Sequence, residues 1–252
     1  MKIIIPMSGL GQRFLNAGYI MPKPLININN RKIIEYVVDL FSDNDELIFI
    51  CNKTHNEEFK IKDFLLTRFP KSHVEIIDNH KFGPVYAVTK VYNLLKEDDE
   101  VIINYCDFNM EWNYNDFKTN IKLSNCDASI VAYTGFHPHL LIEKNLYAGC
   151  KLDINNNLIE IKEKYSFESN KMLGYHSTGT YYFKKVSLMK KYFNLQIQNN
   201  IHLNNEYYVS LCFNKMIEDN LKVYVYDKVI SFCQWGTPED LNDYLYYSKI
   251  FS

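Results

Sequence analysis

The chain has 252 residues, 47% hydrophobic and 23% charged, with a formal net charge of -2. That balance belongs to a soluble globular protein with room for a substantial core, and it lacks the basic surplus a nucleic-acid binder carries. Six cysteines (51, 106, 126, 150, 212 and 233) form no Cys-x-x-Cys pair, which argues against a zinc knuckle or a disulfide framework and suits reduced thiols in a cytoplasm.

The chain starts with a short apolar strand, Ile3-Ile4-Ile5, closed by Pro6 and followed by the loop Met7-Ser8-Gly9-Leu10-Gly11-Gln12-Arg13-Phe14. Glycines there free the backbone so that the N–H groups of Ser8, Gly9, Leu10 and Gly11 can converge on an anion. Arg13 ends the loop, and Lys23 follows between Pro22 and Pro24. Two cations beside an N–H cradle suit a polyphosphate. Phe14 stands where a dinucleotide fingerprint needs its third glycine, and the Gly-Lys-Ser/Thr of a P-loop is absent. Met1-Lys2 with so short an apolar run is too brief for a signal peptide, and no run is apolar enough to cross a bilayer. A cytoplasmic protein with neither a membrane nor a nucleic-acid partner is expected.

Through the first half, strands alternate with helices. Leu47 to Ile50, Val74 to Ile77, Val101 to Ile103 and Ser129 to Ala132 read as strands, and Ile33 to Phe41, Glu57 to Phe69 and Val85 to Leu95 as helices. Such alternation predicts a mainly parallel sheet with helices on both faces and a ligand site at the carboxyl ends of the strands. Asp107 follows one of these strands, where a carboxylate can hold a magnesium ion across phosphates, with Asn109 and Glu111 close behind it.

In the second half, Leu146 to Ile161 reads as a hairpin turning on Asn155-Asn156-Asn157, with Glu163-Lys164 at the end of its second arm. A strand is expected around Thr180 to Phe183, helices at Val186 to Tyr192 and Glu206 to Ile217, and a strand at Val223 to Val225. Thr237-Pro238-Glu239-Asp240 supplies a cap, a first-turn proline and two acids for a final helix. With no linker or repeat between the halves, one domain is expected. Residues 1–134 would bind a nucleotide, and 135–252 would form a lid and an acceptor pocket. His137-Pro138-His139 reads as a loop and Asp98-Asp99-Glu100 as a solvated turn. The 20 Tyr and 16 Phe are explained as well by compositional drift as by contacts in a homo-oligomer.

Gly9-Leu10-Gly11-Gln12-Arg13-Phe14 followed by Pro22-Lys23-Pro24-Leu25 resembles the signature of the nucleotidyltransferases, the sugar-1-phosphate pyrophosphorylase superfamily. The resemblance implies a Rossmann-like, glycosyltransferase-A-like α/β fold with a mixed, mainly parallel sheet. It implies an enzyme joining a nucleoside triphosphate to a phosphorylated small acceptor with release of pyrophosphate, using Mg2+. Arg13 and the loop would hold the β- and γ-phosphates, Lys23 the α-phosphate, Asp107 the metal and Lys164 the acceptor phosphate. Asp78-Asn79-His80-Lys81-Phe82-Gly83-Pro84 falls where the family reads the base, with Asn79 and Gly83 the expected contacts. Glu163, Thr178-Gly179 and Glu206 resemble acceptor-side segments of the family.

One departure concerns the metal. The family commonly has Asp-x-Gly-Thr before the last helix, and here the segment is Gln234-Trp235-Gly236-Thr237. Either one carboxylate and the phosphates suffice, or another acid such as Asp227 substitutes, or catalytic competence is reduced. The run Trp235 to Leu241 resembles a capsule-associated branch, which implies CTP as nucleotide and phosphoglutamine as acceptor. A hexose-1-phosphate enzyme using UTP, dTTP or GTP is the alternative. A glycosyltransferase and an inactive nucleotide-binding regulator also stay open: Asp107-Phe108-Asn109 is one residue short of a D-x-D motif, and Gln234 permits lost activity.

Overall fold

The computed structural model describes residues 1–251. Strand β1 (Lys2–Pro6) lies at the centre of the sheet, because Ile3, Ile4 and Ile5 are fully buried between layers. The glycine loop leads from it into a short helix α1 (Gln12–Asn16) and a 3-10 turn at Lys23–Leu25. A small hairpin, β2 (Asn27–Ile28) and β3 (Arg31–Lys32), precedes α2 (Ile33–Val38). Then come β4 (Glu46–Asn52), α3 (Lys53–Phe59), α4 (Ile61–Arg68), β5 (His73–Ile77), α5 (Gly83–Thr89) and β6 (Val101–Asn104). The chain continues through β7 (Phe108–Glu111), α6 (Tyr114–Ser124), β8 (Ala128–Tyr133), β9 (Gly149–Leu152), β10 (Leu158–Lys162) and β11 (Tyr175–Phe183). It closes with α7 (Val186–Gln198), α8 (Cys212–Glu218), β12 (Val223–Tyr226), β13 (Ser231–Gln234) and α9 (Pro238–Phe251).

The main sheet runs β12-β8-β11-β6-β1-β4-β5, and β9 and β10 attach beside the first residues of β11. Every neighbouring pair in that run is parallel except the two made by β11. The expected mainly parallel α/β sheet is the observed one. One apolar cluster packs on each face. The first includes Ile3, Phe49, Ile102 and Trp235, and the second Ile4, Ile50, Ile103 and Phe213. Residues i and i+1 on one strand thus serve opposite layers, as strand geometry requires.

The sequence expectations differ from the fold in detail: the helix expected over Val85 to Leu95 ends at Thr89 and gives way to a 3-10 turn at Tyr92–Leu94. The segment Glu57 to Phe69 is two helices, because Lys60 turns left-handed (φ 52) and closes α3 on the carbonyl of Asn56. Apolar spacing runs unbroken across that joint because both helices rest on the same face. Glu206 is not helical: Leu203 and Glu206 exchange main-chain hydrogen bonds in a tight loop, a 3-10 turn follows at Val209–Leu211, and α-helix begins only at Cys212. The pairing of β7 with β13 was not anticipated, and it sets Gln234 opposite Phe108, next to Asp107.

Candidate active site

One cleft of about 660 Å³ opens at the carboxyl ends of β1 and β6, and thirteen of the fourteen predicted site residues line it. From the first half these are Ser8, Gly9, Leu10, Gly11, Arg13, Lys23, Gly83 and Asp107. From the second half they are Glu163, Lys164, Thr178, Gly179 and Glu206. Asn79 is the exception. It is exposed, and its Nδ2 donates to Thr54 Oγ1 at 2.6 Å, away from the cleft. His80, one residue on, is the member of that segment that turns inward.

The glycine loop is anchored at its start and open further on. Met7 N–H donates to Ile50 C=O (2.9 Å), and Ser8 C=O accepts from Asn52 Nδ2 (3.1 Å). Gly11 takes φ +65, which L side chains rarely adopt, and its carbonyl accepts from Phe14 and Leu15 to start α1. A Cβ on Gly9 would meet nothing within 4 Å, so that side of the loop is open to a ligand.

Lys23 Nζ donates to Asp107 Oδ2 at 2.8 Å, with the two side chains only 21% and 19% exposed. Burial alone would lower the lysine pKa, but the Asp107 carboxylate outweighs it and holds Lys23 above its ordinary value. The main chain of Asp107 is fixed as well, since its carbonyl accepts from Trp235 N–H (2.8 Å). Neighbouring Cys106 is no nucleophile, because burial and then Asp107 push its thiol up to about 12.

On the opposite wall, Lys164 follows β10 in a left-handed conformation (φ 52), and its Nζ lies 5.7 Å from the centre of the Tyr208 ring. Burial raises the pKa of Glu163, whose carboxylate accepts a short hydrogen bond from Ser210. Thr178 and Gly179 form a bulge in β11. The Thr178 hydroxyl donates to Val131 C=O (3.1 Å) and Gly179 N–H to Ser177 Oγ (3.2 Å), so these donors hold the strand. A Cβ on Gly179 would come within 2.9 Å of the Tyr105 ring, which keeps the bulge glycine-only.

Sequence reasoning missed Asp240. It lies in the first turn of α9, where Thr237 Oγ1 accepts its N–H (3.2 Å), and it lines the same cleft as Asp107. Its Oδ2 is buried without a hydrogen-bond partner, and burial, with the nearby acids, raises its pKa. A helix-starting acid looks like a dipole partner in sequence, so no signal marked it as a cleft residue. Asp227 does not line the cleft, whereas Gln234 does.

Magnesium takes oxygen ligands and, beside a triphosphate, needs only one or two carboxylates. Asp107 and Asp240, the latter with an unpartnered oxygen, fit that donor set. No group of three His, Cys, Asp or Glu among the described residues forms a cage of its own. These residues therefore suit an ion that arrives with phosphate oxygens.

Solved structures of similar fold superpose on nearly the whole chain. A nucleoside-diphosphate-sugar pyrophosphorylase from Vibrio cholerae RC9 superposes with a TM-score of 0.79 at 16% identity, covering 97% of this chain and 99% of that one. An inositol-1-phosphate CTP transferase from T. maritima gives 0.71 at 16% identity, covering 99% and 95%. The fold is that of the nucleotidyltransferases. No protein-family model matches the chain. A UTP–glucose-1-phosphate uridylyltransferase from Haemophilus ducreyi is 34% identical over 71 residues, which is 27% of this chain and 23% of that curated relative's length. Within the nucleotidyltransferase fold, the cleft occupies the carboxyl ends of the parallel strands, where open α/β sheets bind ligands. No helix among the described residues is long and apolar enough to cross a membrane.

Proposed function

We propose that the chain is a nucleotidyltransferase of the sugar-1-phosphate pyrophosphorylase superfamily, a single domain in which residues 1–134 bind a nucleoside triphosphate and 135–252 its acceptor. The observation that carries this reading is the cleft itself: Arg13, Lys23 and Asp107 line one side of it and Lys164 the other. A phosphate oxygen of the acceptor attacks the α-phosphorus in line. The new P–O bond forms as the bond to the bridging α,β-oxygen breaks, and pyrophosphate leaves with that electron pair. Arg13 and the N–H groups of the glycine loop hold the β- and γ-phosphates. Lys23 offsets the charge that grows at the α-phosphate, and Lys164 neutralises the incoming phosphate, which the triphosphate would otherwise repel. Such a reaction rests on positioning and charge neutralisation more than on covalent chemistry. Asp107 and Asp240 would hold Mg2+, which when bound would add charge neutralisation for the phosphates.

For the finer assignment we favour CTP as nucleotide and phosphoglutamine as acceptor, in modification of a capsule, on the resemblance of the Trp235 to Leu241 run. A hexose-1-phosphate enzyme using UTP, dTTP or GTP is the second reading, and the partial match to the uridylyltransferase supports it. A cytoplasmic site of action suits six free cysteines, five of them buried. The test is a pyrophosphate-release screen with Mg2+, crossing CTP, UTP, dTTP and GTP with hexose 1-phosphates and phosphoglutamine. Release with one pair assigns base and acceptor together. Silence from every pair would turn the reading toward a nucleotide-binding regulator.

A further inference from the structure

His80 belongs to no part of the mechanism above, yet it bridges two walls of the nucleotide side of the cleft. Its Nδ1 accepts from its own segment, from Phe82 N–H at 3.2 Å. That nitrogen therefore carries no proton, and the neutral ring must carry it on Nε2. Nε2 lies 3.0 Å from Ser8 Oγ on the glycine loop, so the imidazole donates to the hydroxyl. Ser8 is only 3% exposed, and its carbonyl is already held by the fully buried Asn52. The ring itself rests against Tyr86, with centroids 4.7 Å apart. With two ring nitrogens engaged in opposite senses, one tautomer is specified.

Resting on the nucleotidyltransferase reading, the geometry points to His80 as a positioning residue that latches the base-side segment to the glycine loop and holds only while its ring is neutral. Protonation would put an N–H at Nδ1 directly against the Phe82 N–H, two donors face to face, so the imidazolium cannot keep this arrangement. The surroundings favour the neutral ring. Burial and then Lys90 lower the His80 pKa from the ordinary histidine value. Lys90 follows the last residue of α5, with its Nζ 4.2 Å from the Tyr86 ring centre, and on the segment of His80 itself Asp78 and Lys81 are both exposed. Ser8 faces the ring from the loop and brings no charge. Closing the latch fixes the distance between base-reading and phosphate-holding groups before substrate arrives, which lowers the ordering cost of nucleotide binding.

Nucleotide affinity is the decisive measurement, by calorimetric titration with the Mg2+ complexes of CTP, UTP, dTTP and GTP in turn, from pH 5 to 8. The wild type should lose affinity as pH falls below the His80 pKa, with a one-proton slope. His80→Ala should bind about tenfold more weakly at neutral pH, the loss expected for one hydrogen bond to a buried partner. Ser8→Ala should match it, and the double variant should be no weaker than either alone. His80→Gln restores a donor without a titrating ring, so it should recover most of the affinity and lose the acid slope. Additive losses for Ser8→Ala and His80→Ala, or an acid slope that persists in His80→Gln, would overturn the latch. Failure of all four nucleotides to bind the wild type would overturn the nucleotidyltransferase reading instead.

Discussion

Lys23 Nζ and Asp107 Oδ2 stand 2.8 Å apart at the floor of the cleft, so two groups proposed for separate tasks neutralise each other before substrate arrives. A metal–nucleotide complex offers each a stronger partner, a cation for the carboxylate and a phosphate for the ammonium. Removing one member leaves the other buried and uncompensated, the costly half of breaking such a pair. Lys23→Ala should reduce pyrophosphate release by ~10²–10³, the scale for losing one preorganised charged contact to a transition state. Steady-state kinetics with the best nucleotide check this, and unchanged release would show that Lys23 does not serve the reaction.

Asp240 gives a second prediction, independent of turnover. Its unpartnered oxygen and its place in the cleft make it the acid proposed to offset Gln234. Asp240→Asn should weaken Mn2+ binding in the presence of CTP by about tenfold, read by electron paramagnetic resonance titration. Glu239→Gln, at an exposed neighbour, should not. Equal behaviour of the two variants would remove Asp240 from the metal site.

Gly83 couples the two segments proposed to hold the nucleotide base and the acceptor. Tyr207 N–H donates to Phe82 C=O (2.8 Å) and Val85 N–H to Tyr207 C=O (3.1 Å), drawing the loop that carries Glu206 against the start of α5. A Cβ on Gly83 would lie 2.9 Å from Tyr207 N and 3.1 Å from Glu206 Cβ, at φ +83. Gly83→Ala should therefore cost about 2 kcal/mol and lower Tm by roughly 4–8 °C. It should raise the acceptor KM more than the nucleotide KM, because the backbone displaced belongs to the segment proposed for the acceptor. A wild-type melting curve would show that the loop yields freely.

The loop after β8 carries a pH prediction. Burial, then His137 and His176, lower His139 to about 3, and its Nε2 lies 2.8 Å from Tyr133 Oη in a cluster of rings. The unfolded chain takes up this proton near the ordinary value of 6.5, and the folded protein only near 3. Between those values the unfolded state binds more protons, so stability is full above pH 6.5 and falls progressively toward pH 3. Thermal melts from pH 7 to 4 should show this decline, and His139→Phe, which keeps a ring and removes one titrating group, should make it shallower, His55, His80, His137 and His176 keeping their own lowered values. An identical slope in the variant would place the acid sensitivity elsewhere.

The sequence by itself determined the sheet and the glycine loop, with Arg13 and Lys23, at the end of its first strand. Short β-branched runs such as Ile3-Ile4-Ile5 and Val101-Ile102-Ile103, too brief for a helix of their own, suit strands buried on both faces. A glycine loop followed closely by Arg13 and Lys23 is a local device that can be read from a short stretch of sequence, although Lys23 finds its partner Asp107 only in the fold. Only the tertiary structure decided which isolated polar groups share a site. Asp240 joins Asp107 because β13 pairs with β7 and delivers the start of α9 to the end of β6. His80 rather than Asn79 faces inward because Asn79 is drawn outward to Thr54. Glu206 reaches the cleft from a loop whose apolar neighbours read as helix. Such placements depend on contacts between residues far apart in the chain, and the periodicity of a segment carries no record of them.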